Sequence, residues 1–280
     1  MGKFLALVNY HSNPITSAMF ITATAPNPLV VKLVGEVTGR EIHLSWATWA
    51  LAMFLPGMAC LLLMPLVIYA LAKPSVTHTP DVKAVTQAEL SKLGKITRPE
   101  QIMLATFALM LLLWAGVPAM LLGDGFAVNA TAVAFLGLSL LILTGVLTWE
   151  DILKEKSAWD TIIWFGVLVM MATYLNKLGL VGWFSSSIEA LIAGLGIGWV
   201  GAVAILTLVY LYAHYFFAST TAHITAMFAA FYTVGLSLGA PPMLYALILA
   251  ATSSLMMTLT HYATGTAPVI FGSGYTTLGC

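Results

Sequence analysis

The last 91 residues of the chain, Ala190 to Cys280, contain no Asp, Glu, Lys or Arg. The whole 280-residue chain is 60% hydrophobic and 8% charged, whereas about 25% of the residues of an average soluble domain are charged. Its apolar residues come in long runs, and about 20 such residues span a bilayer as a helix. We therefore expect an all-α polytopic membrane protein. A solute site in the uncharged stretch has to use hydroxyls, histidines, backbone dipoles or bound ions.

Hydropathy over a window of about 19 residues predicts the membrane segments. They lie at 15–35, 46–72, 100–122, 130–147, 159–181, 199–238 and 242–259. The segment 199–238 is long enough to form two arms. Two connections are polar, 73–99 and 148–160. Five of the 11 basic residues lie between Lys73 and Glu100, so the positive-inside rule places this loop in the cytoplasm. The second connection is expected to form a short interfacial helix on the same side of the membrane.

The charge balance and the polar side chains exclude several classes of function. The 11 basic and 11 acidic residues form no basic stripe of the kind that nucleic acid requires. No nucleophile–base pair or metal-ligand set is recognisable, so we do not expect an enzyme. Three histidines, His214, His223 and His261, remain open to two interpretations. They could be ordinary hydrogen-bonded residues, or they could move protons or line a site, as we consider for His261.

An internal repeat is the most informative pattern in the chain. Thr22–Pro26 (TATAP) near the start matches Thr264–Pro268 (TGTAP) near the end. Each motif follows an apolar segment and contains Pro or Gly, which interrupt a helix. Both are therefore predicted to be breaks near the middle of the membrane, where free backbone groups and hydroxyls can hold an ion or an anion. Coincidence, or close helix packing by small residues, is the alternative.

Three segments carry a resemblance to a known family. They are SAMFITATAPNPLV from Ser17, YFFASTTAHITAMF from Tyr215 and HYATGTAPVIFGSGY from His261. Together with most of the chain, they resemble the divalent anion:sodium symporter family, closest to its citrate, tartrate and 2-oxoglutarate/malate translocators of bacteria and plastids. The resemblance implies two inverted repeats, each with a re-entrant hairpin and a broken helix. It places the remainder of the first repeat at 1–72, a cytoplasmic loop at 73–99 and the second repeat at 100–280.

The resemblance also implies the site residues. The second hairpin tip would be Ser219–Thr221 and the second broken helix Ala263–Pro268, while the first broken helix would lie at Thr22–Asn27. The implied substrate-binding residues are Ser219, Thr220, Thr221, Thr264, Gly265, Thr266, Ala267, Pro268, Thr24, Pro26 and Asn27. Sodium, as coupling ion, would be held by Ala218, Thr220 and Ala263. Thr220 stands where the family has Asn, which leaves both sodium dependence and substrate identity open.

The expected function is secondary transport of di- or tricarboxylate anions such as succinate, malate, 2-oxoglutarate, tartrate or citrate. Sodium symport and dicarboxylate exchange are both open. The resemblance further implies a homodimer in a bacterial inner membrane, with a plastid inner envelope as the second choice. The alternatives are an ion/proton antiporter with a broken-helix core or a non-functional transporter fragment.

The spacing between tip and break indicates a fragment. Ser219 precedes Thr264 by 45 residues, and a first tip placed equally far ahead of Thr22 would lie upstream of Met1. Ser12-Asn13-Pro14 is too close to Thr22 and has Pro in place of Thr, so we do not expect it to form this tip. A final helix of the family pattern would follow Cys280.

Overall fold

A computed structural model of the chain describes residues 2–74, 82–156, 158–159, 162–163, 167, 170–171, 174, 177–193 and 196–276. Across these residues it contains helices and no strand, so the predicted all-α class is confirmed. The chain forms two compact units, one made of Met1–Ser75 and Ile163–Cys280 and the other of Val76–Ile162. The division at residues 72 and 99 and the inverted relation between the repeats stay predictions.

The chain begins with two helices separated by a break. Helix α1 (Gly2–Met19) is followed by a 3-10 turn (Ile21–Ala23) and by α2 (Pro26–Val37). The predicted segment 15–35 is therefore two elements, and α1 begins 13 residues before it. Ser12 and Asn13 lie inside α1, where the Ser12 hydroxyl donates to the Val8 carbonyl at 2.7 Å. The Ser12-Asn13-Pro14 sequence is thus helix interior and not a hairpin tip, as expected.

Helix α3 (Trp46–Leu71) confirms the predicted segment 46–72. The Ser45 hydroxyl caps its first turn by accepting from the Thr48 amide at 3.0 Å. Pro56 and Pro65 lie within it. Among the described residues, α3 and the helical stretch Trp199–Phe216 are long and apolar enough to cross a membrane. The exposed leucines of α3 form a surface suited to lipid; they include Leu51, Leu55, Leu62 and Leu66.

The second unit contains five helices among its described residues. They are α4 (Val82–Leu93), α5 (Arg98–Trp114), α6 (Val117–Leu122), α7 (Ala130–Leu143) and α8 (Trp149–Lys154). The predicted segment 100–122 is interrupted at Gly116, whose φ of 77° is left-handed. α8 confirms the predicted short helix in 148–160.

Helix α4 was not expected within the loop 73–99, and it meets α5 at a bend of 101°. The bend coincides with a capping box in which the Glu100 carboxylate accepts from the Thr97 amide at 2.6 Å. This arrangement supplies partners to the first turn of α5 and so starts a new helix at Arg98.

The remaining described helices belong to the first unit. They are α9 (Leu180–Ala193), α10 (Trp199–Ala213), α11 (Thr220–His223), α12 (Ala229–Ser237), α13 (Pro242–Leu255) and α14 (Ala267–Gly272). A 3-10 turn, His214–Phe216, follows α10, and a π-helix, Ile224–Phe228, joins α11 to α12. The predicted segment 199–238 is thus two helical arms that meet at residues 217–219. About half of the predicted segment 159–181 lies outside the described residues.

The core of the first unit is built mainly from α2, α10, α12, α13 and the π-helix. Its largest side chains are fully buried aromatic residues, and three of them carry a phenol: Tyr210, Tyr232 and Tyr245. Gly235 on α12 faces the Tyr245 ring so closely that a Cβ atom there would overlap it. This close approach lets α12 pack directly on α13.

Candidate functional site

The first break is held by the Asn27 side chain. Asn27 is 1% exposed, and its amide nitrogen donates to the carbonyls of Ser17 at 2.8 Å and Phe20 at 2.9 Å. The Trp49 indole N–H donates to the Ala18 carbonyl at 2.8 Å. The carbonyls of Ser17 and Ala18 lie in the last turn of α1, where helical partners are missing, and the Phe20 carbonyl also accepts from the Ala23 amide at 3.1 Å. Asn27 and Trp49 therefore stabilise the break between α1 and α2.

The second break lies between residues 259 and 266, after the 3-10 turn Met256–Thr258. The Tyr10 hydroxyl of α1 is within hydrogen-bond distance of the carbonyls of Met257 at 2.8 Å and Thr260 at 2.9 Å. The Tyr262 hydroxyl donates to the Tyr215 carbonyl at 3.1 Å. Both predicted breaks are therefore present, and the second is attached to α1 and to the end of the first hairpin arm.

Residues 217–219 link the first arm to α11, and Phe217 and Ser219 are in extended conformation. The predicted hairpin tip, Ser219–Thr221, therefore covers the end of this link and the first two residues of α11. Ser219 is the N-cap of α11, and its hydroxyl accepts from the Ala222 amide at 3.4 Å. Thr220 and Thr221 begin the helix, and Thr220 is largely buried. The π-helix that follows packs against α2, so the second arm leads from the tip to the helix that follows the first break.

Most threonine hydroxyls at these three places have no hydrogen-bond partner. In the helix interiors of the first unit, by contrast, several threonine hydroxyls donate to the carbonyl of the preceding turn, as in Thr225, Thr233 and Thr252. Among the described residues, the threonines at the two breaks and the tip whose hydroxyls have no partner are Thr24, Thr220, Thr221, Thr264 and Thr266. Thr207 within α10 and Thr260 beside the second break also lack a partner, and their hydroxyls are buried. A hydroxyl without a partner keeps a donor for a solute.

Backbone amides contribute less to an anion site than the helix starts first suggest. In α2, Pro26 and Pro28 have no N–H, and the Asn27 amide donates to the Thr24 carbonyl at 3.2 Å. In α14, Pro268 has none, and the Ala267 amide donates to the Thr264 carbonyl at 3.1 Å. At these two helix starts, therefore, the prolines supply no donor and the backbone amides of Asn27 and Ala267 are already bonded. The side-chain amide of Asn27 donates to carbonyls at the end of the first helical segment, so this residue positions the break.

Two histidines connect the hairpin to the second break. His214 Nε2 lies 2.9 Å from the Ala263 carbonyl oxygen, and His214 Nδ1 lies 3.1 Å from His223 Nδ1. Both histidines are fully buried. Ala263 is a predicted sodium ligand, and its carbonyl already accepts one hydrogen bond here. Neither Ala218 nor Thr220 carries a charge, and the described residues contain no group of three His, Cys, Asp or Glu suited to a metal.

A cavity of about 360 Å³ borders the second break. Its walls come from α1, from the residues after Met257 and from α14, and they include Tyr10, His11, His261, Tyr262 and Ala267. His261 therefore lines this cavity, and its role in a solute site stays a prediction. His11 and Tyr10, about 250 positions away in the chain, were not singled out. No local pattern links them to His261.

The family model described as the sodium:sulfate symporter transmembrane region matches residues 1–279. The chain belongs to this family. The resemblance found in the three sequence segments is confirmed, and the matched family model describes a transmembrane region.

Curated relatives of the sodium:sulfate symporter family agree with this assignment. Dicarboxylate transporter 1 of the Spinacia oleracea chloroplast is 43% identical over 278 residues, which are 99% of this chain and 48% of that protein. The putative malate transporter YflS of Bacillus subtilis is 46% identical over 275 residues, or 98% of this chain and 55% of that protein. Chloroplastic dicarboxylate transporter 2 of Spinacia oleracea is 40% identical over 278 residues. The chain spans about half the length of these relatives.

Proposed function

We propose that the chain takes part in secondary transport of di- or tricarboxylate anions across a membrane by alternating access. The observation that carries the proposal is the group of free threonine hydroxyls at two helix breaks and one hairpin tip. These are the three segments on which the family resemblance rests. The names of the relatives, dicarboxylate and malate transporters, support a carboxylate substrate. Succinate, malate, 2-oxoglutarate, tartrate and citrate are the candidates.

The proposed site binds carboxylate without Arg or Lys. Each free hydroxyl donates one hydrogen bond to a carboxylate oxygen, and such bonds to a charged acceptor are stronger than neutral ones. The hairpin tip contributes Ser219, Thr220 and Thr221, and the second break contributes Thr264–Pro268. At the first break, Thr24 supplies a hydroxyl, whereas Pro26 and Asn27 fix the backbone around it. Several donors of this kind offset part of the cost of removing a dianion from water.

Sodium is the proposed coupling ion, in keeping with the family's description. Hard cations prefer oxygen ligands, and the carbonyls of Ala218 and Ala263 with the Thr220 hydroxyl offer three. The second lone pair of the Ala263 oxygen remains available beside the bond from His214. Exchange of one dicarboxylate for another is the second mode of transport. We place the protein in a bacterial inner membrane as a homodimer, with the plastid inner envelope as the other location.

The test is uptake of labelled malate by proteoliposomes that contain the full chain. Uptake is expected only with an inward sodium gradient or with dicarboxylate inside the vesicles. Thr221→Ala and Thr266→Ala should each reduce uptake at least tenfold, because each removes a hydrogen bond to a charged group, worth about 1.5–3 kcal/mol. Thr233→Ala is the matched control, since its hydroxyl is bound within α12. Normal uptake by both site variants would refute the site.

A further inference from the structure

The hydrogen bonds of the buried histidine pair fix where its protons are. A carbonyl oxygen only accepts, so His214 Nε2 must carry the proton that binds the Ala263 oxygen. A neutral His214 then has a bare Nδ1, which accepts, and His223 Nδ1 must be the donor across the 3.1 Å contact. The remaining ring nitrogen, His223 Nε2, carries no proton. It is buried and has no hydrogen-bond partner.

This nitrogen is the one place in the pair where a proton can be added without loss of a hydrogen bond. A proton on His214 Nδ1 would set two donors against each other and separate the histidines. A proton on His223 Nε2 would leave both bonds intact and give the ring a positive charge. The Phe217 ring, stacked on His223 with centroids 4.8 Å apart, would stabilise such a charge by cation–π attraction, and the tilted Tyr210 ring lies 4.5 Å from His223 between centroids.

We propose that His223 Nε2 is a proton-binding site, and that the proton bound there offsets the charge of a carboxylate anion held at the hairpin tip. This inference rests on the proposed function for its anion. His223 lies two residues after Thr221, and through His214 it is linked to the second break. A cation at this position therefore attracts the anion to both the hairpin tip and the second break.

Other ionisable groups do not supply this charge. Along the sequence, no Asp, Glu, Lys or Arg occurs after Glu189. The hydroxyl of Tyr210 pairs with Ser253 at 2.8 Å. The phenols of α12 and α13 donate to backbone carbonyls, and the Tyr262 phenol of the second break does the same. On α2, Lys32 forms an ion pair with Glu36 at 3.6 Å. At the second break, His261 contacts Tyr262 and Phe271.

Linkage gives the sign of the effect. If anion binding favours protonated His223, then acid pH must strengthen anion binding by the same factor. One linked proton changes the apparent affinity by up to tenfold per pH unit. Because the dicarboxylate itself takes up protons at low pH, the informative quantity is the difference between two variants measured with the same anion.

His223→Asn is the discriminating variant. Its amide nitrogen can replace Nδ1 as the donor to His214, but it has no nitrogen that binds a proton in this pH range. Malate affinity of the full chain is measured between pH 5 and 8 for the wild type and the variant. We expect the wild type to show the steeper dependence, by up to tenfold per unit. Equal slopes would overturn the proposal.

Nitrogen-15 NMR of histidine-labelled protein tests the same site without transport. The shifts should show His223 protonated at Nδ1 with a bare Nε2, and saturating malate should promote proton uptake at Nε2; the variant assigns the signals. A proton already on Nε2 in the anion-free protein would overturn the proposal, whether or not the variant folds. Absence of uptake in the proteoliposome assay, by contrast, would refute the proposed function. The proton positions on His223 would still be decided by the NMR shifts alone.

Discussion

Asn27 offers a sharp test because the direction of its hydrogen bonds is known. Both amide protons go to carbonyls at the end of α1, those of Ser17 and Phe20. Asn27→Asp keeps the shape but replaces the donor by an acceptor, so an oxygen faces two carbonyl oxygens. Loss of the bond at the buried Ser17 contact costs about 1–3 kcal/mol. The Phe20 carbonyl keeps its bond from the Ala23 amide, so the second loss costs only about 1 kcal/mol, which gives about 2–4 kcal/mol for the pair. Asn27→Leu removes the same bonds without adding a charge.

The assay is apparent Tm of the detergent-solubilised protein at one scan rate, because unfolding of such proteins is often irreversible. At about 2–4 °C per kcal/mol, both Asn27 variants should melt at least about 4 °C below the wild type. The control is Asn129→Asp, since the Asn129 oxygen accepts from the amides of Thr131 and Ala132 at the start of α7. An aspartate serves equally well there. Equal melting of Asn27→Asp and Asn129→Asp would refute the assigned hydrogen bonds.

Two further predictions concern packing and helix capping. Gly235→Ala should lower the apparent Tm by an amount that corresponds to about 1–3 kcal/mol of overpacking against Tyr245. The control Gly201→Ala should leave the Tm unchanged, because a Cβ there would meet only ordinary contacts. Equal Tm values of the two variants would contradict the tight α12–α13 contact. At the start of α8, in the polar connection 148–160, the Thr148 side-chain and backbone hydrogen bonds hold the pKa of Asp151 below its ordinary value of 3.8. The cap's contribution to stability is therefore complete above that pH and is lost as pH falls through the lower folded-state value. A carbon-13 titration of the Asp151 carboxyl should show a midpoint below 3.8 that rises in Thr148→Ala, and an unmoved midpoint would refute the cap.

Hydropathy and proline placement predict much of the fold. The breaks at Thr22–Asn27 and Ala263–Pro268 were predicted because Pro and Gly interrupt helices locally, and the two arms of 199–238 because one apolar run was too long for one span. The full extent of α1 was missed, since Asn9, His11 and Ser12 disrupt its apolar pattern. Hydrogen bonds within α1 satisfy Ser12, which hydropathy does not register.

The site was predictable in outline but not in its contacts. The family resemblance places Thr220 at the hairpin tip and Thr266 at the second break, yet only the structure distinguishes a free hydroxyl from one bonded to the preceding turn. The Tyr10 contacts with the second break join positions about 250 residues apart, and no local pattern encodes them. Likewise, the His214–His223 contact depends on the backbone conformation of residues 217–219, which brings the two rings together.

The measurement that tests the proposed site most directly is protection of single cysteines by substrate. Thr221→Cys, Thr266→Cys and the control Thr233→Cys would each be placed in a chain from which Cys60 and Cys280 have been removed. Labelling by a membrane-impermeant thiol reagent is then followed with and without saturating malate. If the free hydroxyls face the solute, malate slows labelling at positions 221 and 266 and leaves position 233 unchanged. Labelling at 221 and 266 that is indifferent to malate and to each of the other candidate carboxylates would contradict the site.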